Sequence, residues 1–219
     1  AHASEYNDFI VRVVPRYWQQ LECLLEYSPA LANNVLELGC GSGNVSLRLA
    51  ERWTDATMTF VDAAPEMLAL TRARLKESEP RIEERAQFLS ERFEELSLEP
   101  GTIDVVVASL SLHHVQDVSI VYNRIAPMLV TGGRLVMLDG VRGLTDREHD
   151  VHMARWASYW QEPGNLSEDE IRDMREHIAL HDHYRSLREH FEMLTTAGFT
   201  DPDCVWRDGV FALVTATRA

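Results

Sequence analysis

Two hydrophobic periods alternate along this chain. Between Tyr6 and Tyr27 the apolar residues Phe9, Val13, Val14, Tyr17, Trp18, Leu21, Leu24 and Leu25 mostly recur every three or four positions, which predicts helix. Pro15 lacks a backbone donor and divides that stretch into two pieces. Val35 to Leu38 is a short apolar strand, Asn44 to Trp53 returns to the helical period, and Thr57 to Val61 is a strand ending at Asp62. Pro65 to Leu75 begins with proline, which the first turn of a helix tolerates. Two strand–helix units thus follow one another within about 45 residues.

Further strands are expected at Ala86 to Leu89, Ile103 to Ala108 and Gly133 to Leu138. The unbroken run Ile103-Asp104-Val105-Val106-Val107-Ala108 fits a strand covered by helices on both faces, and hence a mainly parallel, doubly wound sheet. Helices are expected over Glu148 to Trp160, Ser167 to Leu180 and Ser186 to Thr196. Asp201 to Val205 and Gly209 to Ala216 read as a terminal strand pair around Trp206-Arg207-Asp208. The chain is read as one domain over 1–219, with a helical lid over 1–30 and a helical cap over 140–185.

Composition narrows the function. The 219 residues, 45% of them hydrophobic, are enough for a substantial core. A net charge of -14 opposes capture of nucleic acid or anionic lipid, and Lys76 is the one lysine among the basic residues. Cys23, Cys40 and Cys204 are odd in number and far apart, so neither a disulfide framework nor a paired zinc knuckle follows. No run reaches the roughly 18 apolar residues of a membrane span, and the acidic start lacks an export pattern. These features lead to the expectation of a cytoplasmic protein with no membrane partner and with nucleic acid disfavoured; a small-molecule partner and a monomeric or homodimeric state are expected besides.

The most informative segment is Glu37-Leu38-Gly39-Cys40-Gly41-Ser42-Gly43, between a strand and a helix. Its glycines permit a tight turn and close approach of a ligand. Asn44 replaces the last glycine of a dinucleotide fingerprint, and the Gly-Lys-Ser/Thr ending of a phosphate loop is missing, so neither motif fits. Asp62, ending the second strand, is placed to accept ribose hydroxyls. Ala63 and Met67 offer apolar contact to an adenine ring.

Together with Ser109-Leu110-Ser111-Leu112-His113-His114 and Pro127-Met128-Leu129-Val130-Thr131-Gly132-Gly133, these segments resemble class I S-adenosylmethionine-dependent methyltransferases over at least residues 35 to 139. The resemblance implies a Rossmann-like, doubly wound α/β fold of seven strands, the last antiparallel, with added cap helices. It implies S-adenosylmethionine as cofactor, with Gly39, Cys40, Gly41 and Gly43 around its methionine and ribose, Asp62 on the ribose, Glu37 near the amino group, and Ser109 nearby. Ser90 or Glu91, after the third strand, would stand beside the adenine. The C-terminal run from His181-Asp182-His183-Tyr184 through Ala197-Gly198-Phe199 is similar in part to carboxy-S-adenosylmethionine synthase-like enzymes, which prepare carboxymethyl groups for transfer RNA modification.

For the acceptor, His114 and His183 are the candidate bases, since imidazole titrates near neutral pH. Tyr6, Arg12, Tyr17, His113, His114, Trp156, Trp160, His183 and Tyr184 are the candidate substrate contacts. His149 with His152, and His177 with His181, share helix faces, but no complete ligand set is legible from spacing, and no metal is expected. Methyl transfer to a small molecule is the leading reading. Other chemistry at the sulfonium cofactor and a noncatalytic cofactor-binding protein remain as alternatives.

Overall fold

The structure, a computed structural model, describes residues 3–219, with side chains from residue 8 onward. Helices α1 (Ala3–Val13) and α2 (Tyr17–Glu26) are separated at Pro15, where Arg16 takes a left-handed conformation. Then follow β1 (Asn34–Leu38), α3 (Asn44–Arg52), β2 (Thr57–Val61), α4 (Pro65–Ser78), β3 (Ala86–Leu89), β4 (Ile103–Ser109), α5 (Val118–Ile125) and β5 (Leu129–Gly140). Three helices come next, α6 (Asp146–Gln161), α7 (Glu168–His181) and α8 (Leu187–Thr196), and the strands β6 (Phe199–Asp208) and β7 (Phe211–Arg218) close the chain.

The seven strands lie in the order β3-β2-β1-β4-β5-β7-β6. The first five are parallel, and β7 runs antiparallel between β5 and β6, as the resemblance implied. One expectation is corrected at the C-terminus. Trp206-Arg207-Asp208 belongs to β6 rather than to the turn, which falls at Gly209 and Val210, because Trp206, Arg207 and Asp208 pair with Leu213, Ala212 and Phe211.

Strand alternation divides the core between two faces. Val105 and Val107 of β4 point to the side covered by α1 to α4 and α6, while Val106 and Ala108 point to the side covered by α5 and α8. Both sides are apolar, which explains why β4 reads as an unbroken hydrophobic run.

The last three helices share one start signal. Thr145 with Glu148, Ser167 with Glu170 and Ser186 with Glu189 each form reciprocal capping boxes. The N-terminal helix is tied to this later segment: Trp156 Nε1 donates to Val13 O at 2.8 Å, and Tyr159 Oη donates to Val11 O at 3.0 Å. Among the described residues no helix is long and apolar enough to cross a membrane.

Candidate active site

The glycine loop leaves β1 at the C-terminal edge of the parallel strands, where open α/β sheets form their ligand crevice. Gly39 N and Cys40 N donate to Val61 O at 2.8 and 3.1 Å, pinning the loop to the end of β2. Asp62 braces it further: its Oδ2 accepts from Gly41 N at 2.8 Å and its Oδ1 from Ala64 N at 2.9 Å. Thr71 Oγ1 donates to Gly41 O at 2.7 Å from α4. Gly39 sits at φ +77°, and a Cβ there would lie 2.3 Å from Ser111 Cβ, so two segments meet at a point where no side chain fits.

This loop encloses a cavity of about 280 Å³. Of the residues expected around the cofactor, Gly39, Cys40, Gly41, Asp62, Ala63, Met67 and Ser109 line it, and Tyr17, Asn44, Phe93, Ser111 and His114 join them. The remaining expected contacts lie elsewhere. Gly43 caps α3 rather than facing the cavity. Ser90 and Glu91 are exposed as the chain leaves β3, and Phe93 supplies the wall instead. An aromatic residue a few positions beyond the strand was the available signal.

Cys40 faces the cavity as a neutral thiol, because burial, followed by the nearby Glu37 and Asp62, pushes its pKa well above the ordinary value. Glu37 stands behind the wall, 1% exposed, with Oε2 lacking a hydrogen bond. Burial and then the charge of Asp62 push its carboxyl up to about 8, against the opposing influence of the nearby Ser46 hydroxyl. Between the ordinary carboxyl pKa and 8, the folded protein retains a proton that the unfolded chain has released. Stability from this group is therefore present at low pH and is lost as pH rises through 8, at roughly 1.4 kcal/mol per pH unit. Glu37→Gln is expected to be more stable than the parent at pH 9, by on the order of 1–3 kcal/mol, and to lose that advantage near pH 5. Denaturant unfolding at the two pH values checks it; a constant difference would remove Glu37 as the source.

A second cavity, of about 320 Å³, shares Leu110 and His114 with the first. Phe9, Val13 and Val14 at one side, Trp156 and Phe211 at another, and Met174 from α7 give it an apolar lining. His113, His114, His177, Asp182 and Tyr184 form its polar end. Four of the expected substrate contacts (His113, His114, Trp156 and Tyr184) therefore line this space.

The others are redirected. Tyr17 lines the first cavity, its hydroxyl accepting from Asn44 Nδ2 at 3.2 Å. Arg12 lines neither: it donates to Gly164 O, Asn165 O and both oxygens of Glu170, clamping α1 onto the start of α7. Trp160 is buried beside Trp156 with ring centroids 4.8 Å apart, leaving the cavity wall to Trp156. His183 also lines neither cavity; its backbone N donates to His113 O at 2.6 Å. Tyr6 has its side chain outside the described residues.

Two carboxylates organise the polar end, one of them, Asp139, not chosen from the sequence. Asp139, near the end of β5, is buried and accepts from Leu112 N at 2.7 Å, His113 N at 3.2 Å and Gly140 N at 2.7 Å. Its Oδ1 also meets His113 Nδ1. Burial works against the charged carboxylate, but the His113 ring and the backbone donors prevail and hold its pKa below the usual range. Asp182 follows α7, and its Oδ2 accepts from Tyr184 Oη. Burial and then Asp182 push the Tyr184 phenol far up, so it remains a neutral donor. Asp139 had a readable signal, an acid ending a strand as Asp62 does; Asp182 stood in the run His181-Asp182-His183-Tyr184, which leaves one helix and precedes another.

A family model described as "Methyltransferase domain" matches residues 35–133. A ubiquinone biosynthesis O-methyltransferase from Xanthomonas euvesicatoria is 34% identical over 104 residues, covering 47% of this chain and 41% of that protein, so the chain spans less than half the relative's length. A carboxy-S-adenosyl-L-methionine synthase from Chromohalobacter salexigens is 30% identical over 203 residues, 89% of this chain and 73% of the relative. Among solved structures, an S-adenosylmethionine-dependent methyltransferase fold from Listeria monocytogenes superposes with a TM-score of 0.66 at 18% identity, covering 93% of this chain and all of that one, a likeness of fold.

Proposed function

The chain belongs to the class I S-adenosylmethionine-dependent methyltransferase family, and from that premise we propose that it methylates a small, largely apolar molecule held in the second cavity. The observation that carries this reading is the shared wall. Leu110 and His114 border both cavities, so a molecule in one meets a molecule in the other. When bound, S-adenosylmethionine supplies a methyl group on a positively charged sulfur. The residues of the first cavity fit such a group: Asp62 offers oxygen acceptors to ribose, Gly39 leaves room for close approach, and neither cavity wall carries a lysine or arginine that would repel a sulfonium.

The chain's own contribution is position, exclusion of water and removal of a proton. Phe9, Val13, Trp156 and Met174 close the second cavity with apolar surface, which fixes an acceptor and keeps water away. An acceptor hydroxyl facing the polar end would give its proton toward the histidine–aspartate group, of which His114 alone also borders the cofactor cavity. His114→Ala is expected to lower kcat by about 100-fold or more at saturating acceptor, whereas His183→Ala, lining neither cavity, changes it little. Steady-state kinetics separate the two, and a loss confined to cofactor affinity would make His114 a wall residue only.

A second reading has one observation in its favour: the carboxy-S-adenosylmethionine synthase relative aligns with 89% of the chain. Against it stands the lack, among the described residues of either wall, of an arginine or lysine to receive a carboxylate. Incubation with S-adenosylmethionine and small-metabolite pools, with products resolved by mass, distinguishes them. Methyl transfer yields acceptor-dependent S-adenosylhomocysteine; a cofactor that gains a carboxyl group supports the second reading, and recovery of 5'-methylthioadenosine alone rejects both. The free thiols of Cys23, Cys40 and Cys204 and the net charge of -14 support a cytoplasmic setting and a non-nucleic-acid acceptor.

A further inference from the structure

We propose that His113, His114 and Asp182, with His177 as a fourth member, bind a divalent transition metal ion of the zinc or cobalt type at the polar end of the second cavity. His113, His114 and Asp182 each present one donor atom, and the three atoms lie within 4.8 Å of one another. Asp182 Oδ1 is the centre of the group: His114 Nδ1 is 3.3 Å away, His177 Nε2 3.7 Å and His113 Nε2 3.9 Å. Ligands 2.0–2.2 Å from a tetrahedral ion stand roughly 3.3–3.6 Å from each other. Three nitrogens already surround this oxygen at close to that spacing, while the ligand atoms of His113, His114 and Asp182 are up to 4.8 Å from one another and His177 stands outside that group, so the rings must turn inward around the ion to complete the set.

A second observation points to a missing partner. The Asp182 side chain is 3% exposed, and Oδ1 accepts no hydrogen bond although its other oxygen is held by Tyr184. An unmet carboxylate oxygen under that much burial is costly, and a cation among the three nitrogens would meet it. His113 is oriented for this role from behind. Its Nδ1 faces Asp139, which fixes the ring and turns the Nε2 lone pair toward Asp182, an arrangement found behind metal-bound histidines.

The donor set also selects the ion. Three imidazoles and one carboxylate suit zinc, cobalt, nickel or ferrous ions, whereas magnesium and calcium prefer oxygen ligands. The sequence suggested His177 with His181; the fold instead joins His177 to residues following β4 and α7, an association that spacing along one helix does not contain. His177 is 49% exposed on its side chain and is the member best placed to yield to a ligand entering from the cavity. The ligand would be an oxygen of the acceptor, a hydroxyl or enol, and the displaced His177, rather than the ligated His114, would then take its proton. That consequence rests on the methyl-transfer reading, while binding of the ion does not.

The test uses the full chain stripped with a chelator and titrated with Co(II). The expected result is the intense visible absorption of four-coordinate Co(II), saturating at one equivalent and abolished by Zn(II). His177→Ala and Asp182→Asn are expected to bind at least tenfold more weakly, while His181→Ala binds as the parent does. His114 and His177 have about half of their side chains exposed, so their alanine variants are expected to keep the parent's thermal transition and serve where Asp182→Asn does not fold. A spectrum that stays that of the hydrated ion, or equal binding by the parent and the His114→Ala and His177→Ala variants, overturns the site. A Co(II) spectrum without any methylated product would leave the site standing and defeat the methyl-transfer reading alone.

Discussion

Gly39→Ala is expected to weaken both the fold and cofactor binding. The left-handed backbone at φ +77° costs a residue with a side chain roughly 1–2 kcal/mol. The added methyl would also lie 2.3 Å from Ser111 Cβ and 2.8 Å from its hydroxyl oxygen. Ser111 cannot step aside freely, since it is buried and donates to Leu38 O at 2.8 Å. Overpacking of this kind adds roughly 1–3 kcal/mol, so a total loss of about 2–5 kcal/mol is expected. Because Gly39 and Ser111 both line the first cavity, affinity for S-adenosylmethionine should fall at least tenfold. Gly101→Ala is the comparison: φ is +65° there, yet nothing lies within 4 Å of an added Cβ, so the backbone term acts alone. Unfolding curves and calorimetric titration measure both variants; equal losses would show that close approach to Ser111 does not matter.

Asp62→Ala should reduce cofactor affinity by about 10- to 150-fold, corresponding to roughly 1.5–3 kcal/mol for a lost hydrogen-bonded charge. Two effects combine. The carboxylate offers lone pairs to ribose hydroxyls, and it also holds Gly41 N and Ala64 N, so its removal loosens the glycine loop before any ligand arrives. Asp62→Asn keeps one oxygen acceptor and should fall between parent and alanine. Titration with S-adenosylmethionine is the direct measurement. Unchanged affinity in Asp62→Ala would defeat the ribose assignment, whereas weaker binding with an unaltered Tm would assign the effect to the ligand rather than to the loop.

The parallel core was legible because its cause is local. Strands buried on both faces need apolar residues at successive positions, and Val105-Val106-Val107-Ala108 supplies them. The loop between β1 and α3 was equally readable, since sharp turning and close approach restrict residue type at each position. The assignments that moved did so because orientation depends on the neighbouring element. Arg12 carries the charge of a substrate contact but meets Glu170 and two carbonyls from a segment some 150 positions away. Trp156 and Trp160 share a helix, yet only Trp156 reaches the second cavity. Ser90 and Glu91 follow β3 where an adenine contact was expected, but they face solvent.

From its sequence alone the chain determined the doubly wound sheet, the glycine turn and the place of Asp62 at the end of β2, whereas the antiparallel last strand was implied by the family resemblance. The first three follow from interactions among residues near one another in the chain, or from a repeat of apolar positions. The tertiary structure decided how the polar end of the second cavity is composed. His113 and His114 follow β4, Asp139 lies near the end of β5, His177 lies on α7 and Asp182 and Tyr184 follow it. Packing brings these groups together: it pairs His113 with the buried Asp139 and gathers the imidazoles of His113, His114 and His177 around one oxygen of Asp182.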